Sequence, residues 1–166
     1  RCLGPGTPNL VNSFEKLRQS VLMLHRDPRD CAGEVSKMRE RMRNHRIIKT
    51  KAFDLKQGPG GIIDIEFLVQ YFVLSYAYHY PNLVTWTDNI RILEQLAYSG
   101  LLTSEESNQL IHTYRRYRNA LHRTILQNKK AWIGSEQFVN ERALVHKLYN
   151  RLNFFFRDNR HGAKYF

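Results

Sequence analysis

The stretch Lys56-Gln57-Gly58-Pro59-Gly60-Gly61-Ile62-Ile63-Asp64-Ile65-Glu66 sets a cation, three glycines and two carboxylates at the mouth of an apolar run. Glycines let a backbone approach a ligand closely, and a helix N-terminus presents free N–H groups, so the chemistry on offer is the holding of an anion. Neither common phosphate loop is present. A Walker-type loop needs Gly-Lys followed by Ser or Thr, whereas Lys56 comes before the glycines. A dinucleotide fingerprint needs a third glycine where this chain has Ile63, inside a βαβ frame that is missing. Asp64 and Glu66 compete with a phosphate for the same N–H groups. Two positions apart, they sit ~200° round a helix and cannot chelate one metal from one face. One should look inward and one outward, Asp64 capping the helix or meeting a basic partner and Glu66 pairing with Arg91, Arg115 or Arg118. Two readings stay open on these residues. One is an anion site at Gly58, Gly60, Gly61 and the N-terminus of the helix that begins near Ile62; the other is a tight turn into a capped helix with a buried ion pair.

Helical periodicity fills most of the rest. Val11, Phe14, Leu17, Val21 and Leu24 predict a first helix over about residues 9–24 with that stripe inward. Asp27-Pro28 offers an N-cap and a proline at the first helical position, opening a second helix. Its inward face should carry Cys31, Val35, Met38 and Met42, with Lys37, Arg39, Arg41, Arg43 and Arg46 around the remainder. Ile62, Ile65, Val69, Phe72 and Tyr76 form a third stripe, closed by Pro81. Trp86–Tyr98 predicts a shorter helix stopped by Gly100, and Thr103-Ser104-Glu105-Glu106 is a capping box before a long helix with Leu110, Tyr114, Leu121 and Ile125 inward. Glu141, Leu144, Leu148, Leu152 and Phe155 mark the last one, Trp132 reads as a core plug, and only Ala52–Lys56 has strand character. The fold class expected is therefore all-α, an antiparallel bundle of about six helices with a Gly-rich turn before the third. Residues 1–8 read as a linker remnant, 9–157 as the helical domain and 158–166 as a polar tail, in the manner of a fragment.

With 166 residues the chain suits a single core without staples. Cys2 and Cys31 make neither a CxxC pair nor a zinc spacing, and no apolar run reaches the length of a membrane span, so a reduced cytoplasmic setting is expected and no membrane. No metal site is expected either, since His112 and His122 lack the spacing of a zinc pair. The formal net charge of +11 attracts anionic partners without naming one. Nucleic acid is disfavoured, because the period of Tyr114-Arg115-Arg116-Tyr117-Arg118 turns the tyrosines inward and leaves Arg115 and Arg116 solvated.

The glycine stretch resembles the K-x-G-x-G-G-I-x-D-I-E-F signature of bacterial glutamine synthetase adenylyltransferases. Met38-Arg39-Glu40-Arg41-Met42-Arg43 resembles the family's M-R-E-x-M-R helix, and Trp86-Thr87-Asp88-Asn89-Ile90-Arg91-Ile92-Leu93-Glu94 its W-S-D-N-x-R-I-L-E segment. The likeness runs over about residues 8–157 and points to the helical region that follows the C-terminal, adenylylating catalytic domain. It implies an enzyme that attaches AMP to glutamine synthetase and removes it, with ATP and Mg2+ as cofactors. Implied partners are glutamine synthetase, a PII-type signalling protein and a nucleotidyltransferase domain of the same polypeptide. That chemistry depends on a D-x-D motif which this sequence lacks, so the chain by itself is expected to be inactive and to carry no catalytic residue. The resemblance implies that Lys56, Gly58, Gly60, Gly61 and Asp64 lie near the ATP or the target, and that Glu66, Arg91, Arg115 and Arg118 serve an ion pair or domain docking. The alternatives are an interaction module for glutamine synthetase or a PII-type protein, and a basic nucleic-acid-binding domain.

Overall fold

A segment written IIDIEFLVQYFVLSY has no polar face to give to water, and it occupies the centre of the fold. The computed structural model of the chain describes residues 8–44 and 52–157, those at 8, 44 and 152–157 by their backbone alone. In chain order the elements are α1 (Pro8–Leu22), α2 (Pro28–Asn44), β1 (Ala52–Asp54), α3 (Ile62–Tyr76), a 3-10 turn at Pro81–Val84, α4 (Asn89–Tyr98), α5 (Ser104–Leu126), β2 (Trp132–Gly134) and α6 (Val139–Arg157). The result is an all-α bundle, with α3 packed against α2, α4, α5 and α6. Ile62, Ile63, Ile65, Leu68, Val69, Tyr71, Phe72 and Val73 are all buried, so α3 is enclosed all round and not along one stripe. Of the described helices none is long and apolar enough to cross a membrane.

Local chemistry sets the helix ends. Asp88 accepts a hydrogen bond from the Arg91 amide at 3.0 Å, which starts α4 at Asn89, three residues later than the periodicity predicts. Gly100, at φ +71°, turns the chain out of α4, while Leu101 and Leu102 return their amides to the Leu96 carbonyl. The capping box before α5 is complete: Thr103 Oγ1 accepts from the Glu106 amide at 3.1 Å, and Glu106 accepts from the Thr103 amide at 3.0 Å. Glu106 also accepts from Arg151 at 2.7 Å, tying α6 to the start of α5. Thr103→Ala should cost about 1 kcal/mol, read as a lower urea midpoint at unchanged m-value. An unmoved midpoint would show that the cap does not hold in solution.

Several expectations need correction. A second strand, β2, pairs antiparallel with β1 with Phe53 opposite Ile133, and Trp132 lies half-buried on it beneath the Lys130 ammonium instead of plugging the core. Phe14, Leu17, Val21 and Leu24 of the first stripe are exposed, because α1 meets the body through Arg18 and Leu22. Met38 is exposed and Arg39 is buried, so the inward face of α2 is turned toward its arginines, for a reason that lies in α3. Ile125 is exposed near the end of α5, where the chain turns away at Asn128 with φ +53°. The predicted linker up to residue 7 and the tail at 158–166 lie outside the described residues, as does Arg46, and so do the side chains of Leu152 and Phe155.

Candidate functional site

The glycine stretch folds into a closed clasp. Asp54 opens it by accepting from the amides of Lys56 and Gln57, both at 2.9 Å, in an Asx-type turn. The Gly58 amide returns to the Asp54 carbonyl at 2.7 Å, that of Gly61 to Gly58 at 2.9 Å, and those of Ile62 and Ile63 to Leu55 and Lys56 at 3.1 Å. The Gly60 amide donates to Asp64 Oδ2 at 2.7 Å, and the Asp64 amide reaches the Gly61 carbonyl at 3.1 Å. Every backbone N–H from Leu55 to Asp64 thus has an acceptor inside the protein. Gly58, Gly60 and Gly61 are buried, whereas Lys56 is exposed. The expectation of free amides turned toward an anion is corrected: the helix entrance satisfies its own donors.

Asp64 is the centre of this clasp. Its carboxylate is fully buried and accepts from Arg39 Nε at 2.5 Å and from Arg43 Nη2 at 2.9 and 3.1 Å. Arg39, 1% exposed, also donates to the Gln57 carbonyl at 2.7 Å, so α2 grips both the loop and the helix it opens. From the other side, the Tyr117 hydroxyl of α5 donates to the Gly60 carbonyl at 3.0 Å. Burial pushes the Tyr117 hydroxyl above its ordinary pKa, with the Glu141 carboxylate adding to the shift, and it stays a donor at neutral pH. The charge rule for helices, by which arginines take the solvent side, conceals Arg39 and Arg43 from sequence reasoning. Their spacing was the available signal, for Ala32, Val35, Arg39 and Arg43 step round α2 by three, four and four and share one face.

Glu66 belongs to a different neighbourhood. Its carboxylate accepts from the Tyr114 hydroxyl at 3.2 Å, and that hydroxyl receives the Asn89 side-chain amide at 3.0 Å. Burial raises the Tyr114 hydroxyl; the Asn89 hydrogen bond opposes the shift and the charge of Glu66 reinforces it. The expected ion pairs of Glu66 with Arg91, Arg115 and Arg118 do not form among the described residues, because Tyr114 takes the carboxylate instead. Arg91 lies over the Trp86 ring at 4.0 Å, with Asp88 at 3.8 Å. Arg115 and Arg118 are exposed and line an open cavity of about 550 Å³ with Asp88, Asn89 and Tyr114. A second hollow of about 580 Å³ adjoins it across Thr87 and Asp88, with Arg18, Trp86 and Arg91 in its wall. The structure therefore separates the sequence-predicted residues into two groups. Gly58, Gly60, Gly61 and Asp64 form the buried clasp, while Glu66, Arg91, Arg115 and Arg118 gather around the α4–α5 groove.

The groove offers two guanidinium groups that make no ion pair among the described residues, beside the Asn89 side-chain amide and the Asp88 carboxylate, and the guanidinium pair is chemistry for an anionic surface or group. Comparison with known proteins places this arrangement in context. A family model described as GlnD PII-uridylyltransferase matches residues 31–132, more than half of the chain. A bifunctional glutamine synthetase adenylyltransferase/adenylyl-removing enzyme of Nitrosococcus oceani is 46% identical over 149 residues, covering 89% of this chain and 15% of the relative. Proteins of the same description from Thioalkalivibrio sulfidiphilus, at 41% over 89% of the chain, and Hahella chejuensis, at 43% over 84%, are matched in the same way. The chain spans 15% of the length of each of these relatives. On these matches the chain belongs to the GlnD PII-uridylyltransferase family, and over most of its length it is similar to one segment of the bifunctional glutamine synthetase adenylyltransferase/adenylyl-removing enzymes.

Proposed function

We propose that this chain is the helical accessory region of an enzyme that adenylylates and deadenylylates glutamine synthetase, and so regulates nitrogen assimilation. The similarity over 89% of the chain to enzymes of that description supports the reading most directly. In it, a nucleotidyltransferase domain of the same polypeptide carries out the transfer, and glutamine synthetase and a PII-type signalling protein are the protein partners. ATP and Mg2+ are the cofactors of the whole. Among the described residues no three of His, Cys, Asp and Glu converge as a metal would require, so these residues do not fit a magnesium site.

What this region contributes is placement and charge. The clasp at Gly58–Asp64 fixes the entrance of α3, and with it the exposed Lys56 on one side and Glu66 on the other. The Asn89–Tyr114–Glu66 line joins the Trp86–Glu94 block to the glycine block and holds Arg115 and Arg118 beside them. Transfer of a nucleotidyl group is favoured by cations aimed at developing negative charge, and flanking guanidinium or ammonium groups suit that task.

In the intact enzyme, Lys56→Ala and the pair Arg115→Ala/Arg118→Ala should each lower kcat/KM for AMP transfer on the order of tenfold. Because all three side chains are exposed, the melting temperature should not move. Unchanged transfer rates in both variants would remove the electrostatic role and leave these side chains as solvated surface.

A further inference from the structure

Helix α1 carries a second apolar face that no described part of the bundle covers. Leu10, Phe14, Leu17 and Val21 are spaced four, three and four, and Leu24 continues the series just past the helix end. They are 61%, 40%, 63%, 47% and 56% exposed. An alternation of four and three is a 3.5-residue repeat, the pattern of a coiled-coil seam. The half-buried Val11, Arg18 and Leu22 lie ~100° round the helix from that seam; Leu22 packs against the core, and Arg18 donates to the Val84 carbonyl at 2.5 Å and pairs with Glu15 at 2.8 Å. Asn12 and Gln19 lie opposite the seam and are exposed in the ordinary way. The helix is thus anchored along one face while a separate hydrophobic stripe stays open.

We infer that this stripe is a docking seam for a second α-helix supplied by another part of the same polypeptide. The repeat selects the occupant's form, since a 3.5-residue spacing is read by another helix crossing at a shallow angle and not by a strand or an irregular peptide. The flanks select its source. Ser13 and Ser20 on one side allow close approach but carry no charge, and Arg18 on the other is already engaged by Glu15 and Val84. A second copy of α1 would therefore find no complementary charges with which to set its register. A covalently connected helix needs no such device, because its effective concentration is high. The matched relatives supply the necessary length, since this segment is 15% of each. The inference rests on the reading of the chain as one segment of such an enzyme.

The test uses the full-length enzyme with the photo-crosslinker p-benzoylphenylalanine placed at Leu17 or at Val21, and at Gln19 as a control. The expected result is an intrachain cross-link from Leu17 and Val21 to a helical stretch outside this segment, with none from Gln19. A dimer band cross-linked through α1 of two copies would overturn the proposal, as would identical behaviour at all three positions. As a second measurement, Leu17→Asp/Val21→Asp should speed proteolytic cleavage within α1 on the order of tenfold. An unchanged cleavage rate would also overturn it. Assaying AMP transfer on the same cross-linked samples keeps the two readings apart. Transfer activity without the intrachain cross-link sinks the seam alone, whereas the cross-link in a protein that never transfers AMP sinks the functional reading alone.

Discussion

Replacing Asp64 with alanine should destabilise the domain by about 3–5 kcal/mol, a large part of the roughly 5–15 kcal/mol that holds a domain of this size together. The cause is what is left behind. Arg39 is 1% exposed and has no route to water, so loss of the carboxylate strands a guanidinium charge in the core. Arg43, with a third of its side chain exposed, can turn outward and recover hydration. The Gly60 amide loses its acceptor as well, which adds the cost of an unsatisfied buried donor. In a thermal melt the midpoint should fall by ~10 °C or more. Asp64→Asn keeps the shape and one acceptor for Gly60 and should cost less. Arg39→Met/Asp64→Leu removes the stranded charge together with its partner and should recover much of the loss, as buried pairs replaced by apolar groups commonly do. A single-mutant cost below about 1 kcal/mol, or a double variant no better than Asp64→Ala, would mean that the pair is hydrated in solution. In the intact enzyme, Asp64→Ala should lower the temperature at which activity is lost, in step with the melting of the region, and activity should return on cooling. A residue that acted on the ligand would give a loss independent of temperature.

The helices were legible because their causes are local. Thr103 and Glu106 form the box their spacing predicts, and the apolar content of Ile62–Tyr76 by itself requires a buried helix. What escaped sequence reasoning depends on contacts made over long separations. Arg39 is drawn inward by a carboxylate 25 residues away, and although it shares a face of α2 with Ala32 and Val35, nothing along α2 names that partner. Strand β2 is three residues long and half-buried, too short to show a period, and it exists because Ala52–Asp54 lies opposite. The seam on α1 has the pattern of a core stripe, and nothing in the spacing says whether the partner helix lies within this segment.

The same distinction governs the glycine signature. Read as a motif, three glycines before a helix suggest a cradle for a ligand, since backbone without side chains can approach one closely. In the structure the close approach is made by the protein itself. A Cβ on Gly58 would stand 2.5 Å from the Asp54 carbonyl and the Phe53 ring, and one on Gly61 would stand 2.8 Å from the Leu55 carbonyl. Spacing shows that a side chain is excluded but not what excludes it. The exposed cations lie outside the clasp, Lys56 at its rim and Arg115 and Arg118 in the groove.

Gly60→Ala should be the second severe variant, and the structure provides its control. Gly60 has φ +78°, where an L-residue costs roughly 1–2 kcal/mol, and a Cβ there would lie 2.4 Å from the Arg142 carbonyl oxygen and 2.9 Å from its Cα. The obstacle is helix backbone and cannot rotate aside, so α6 must shift, at a further 1–3 kcal/mol or so. That shift disturbs the Arg142 guanidinium stacked on Phe53 at 4.0 Å, the Arg116–Glu141 ion pair and the Tyr117 hydroxyl on Gly60 itself. Gly100 has nearly the same backbone, φ +71°, and nothing within 4 Å of where a Cβ would stand. Gly100→Ala should therefore cost only the conformational part, about 1 kcal/mol. The difference between the two variants in urea unfolding isolates the contact with α6 from the strain common to both. In Gly60→Ala the amides of α6 should also exchange well before those of α3, while in Gly100→Ala the two helices should keep their native order. Equal costs at the two glycines would show that α6 does not rest on the turn, and the clasp would then bind α2 and α5 without closing the bundle.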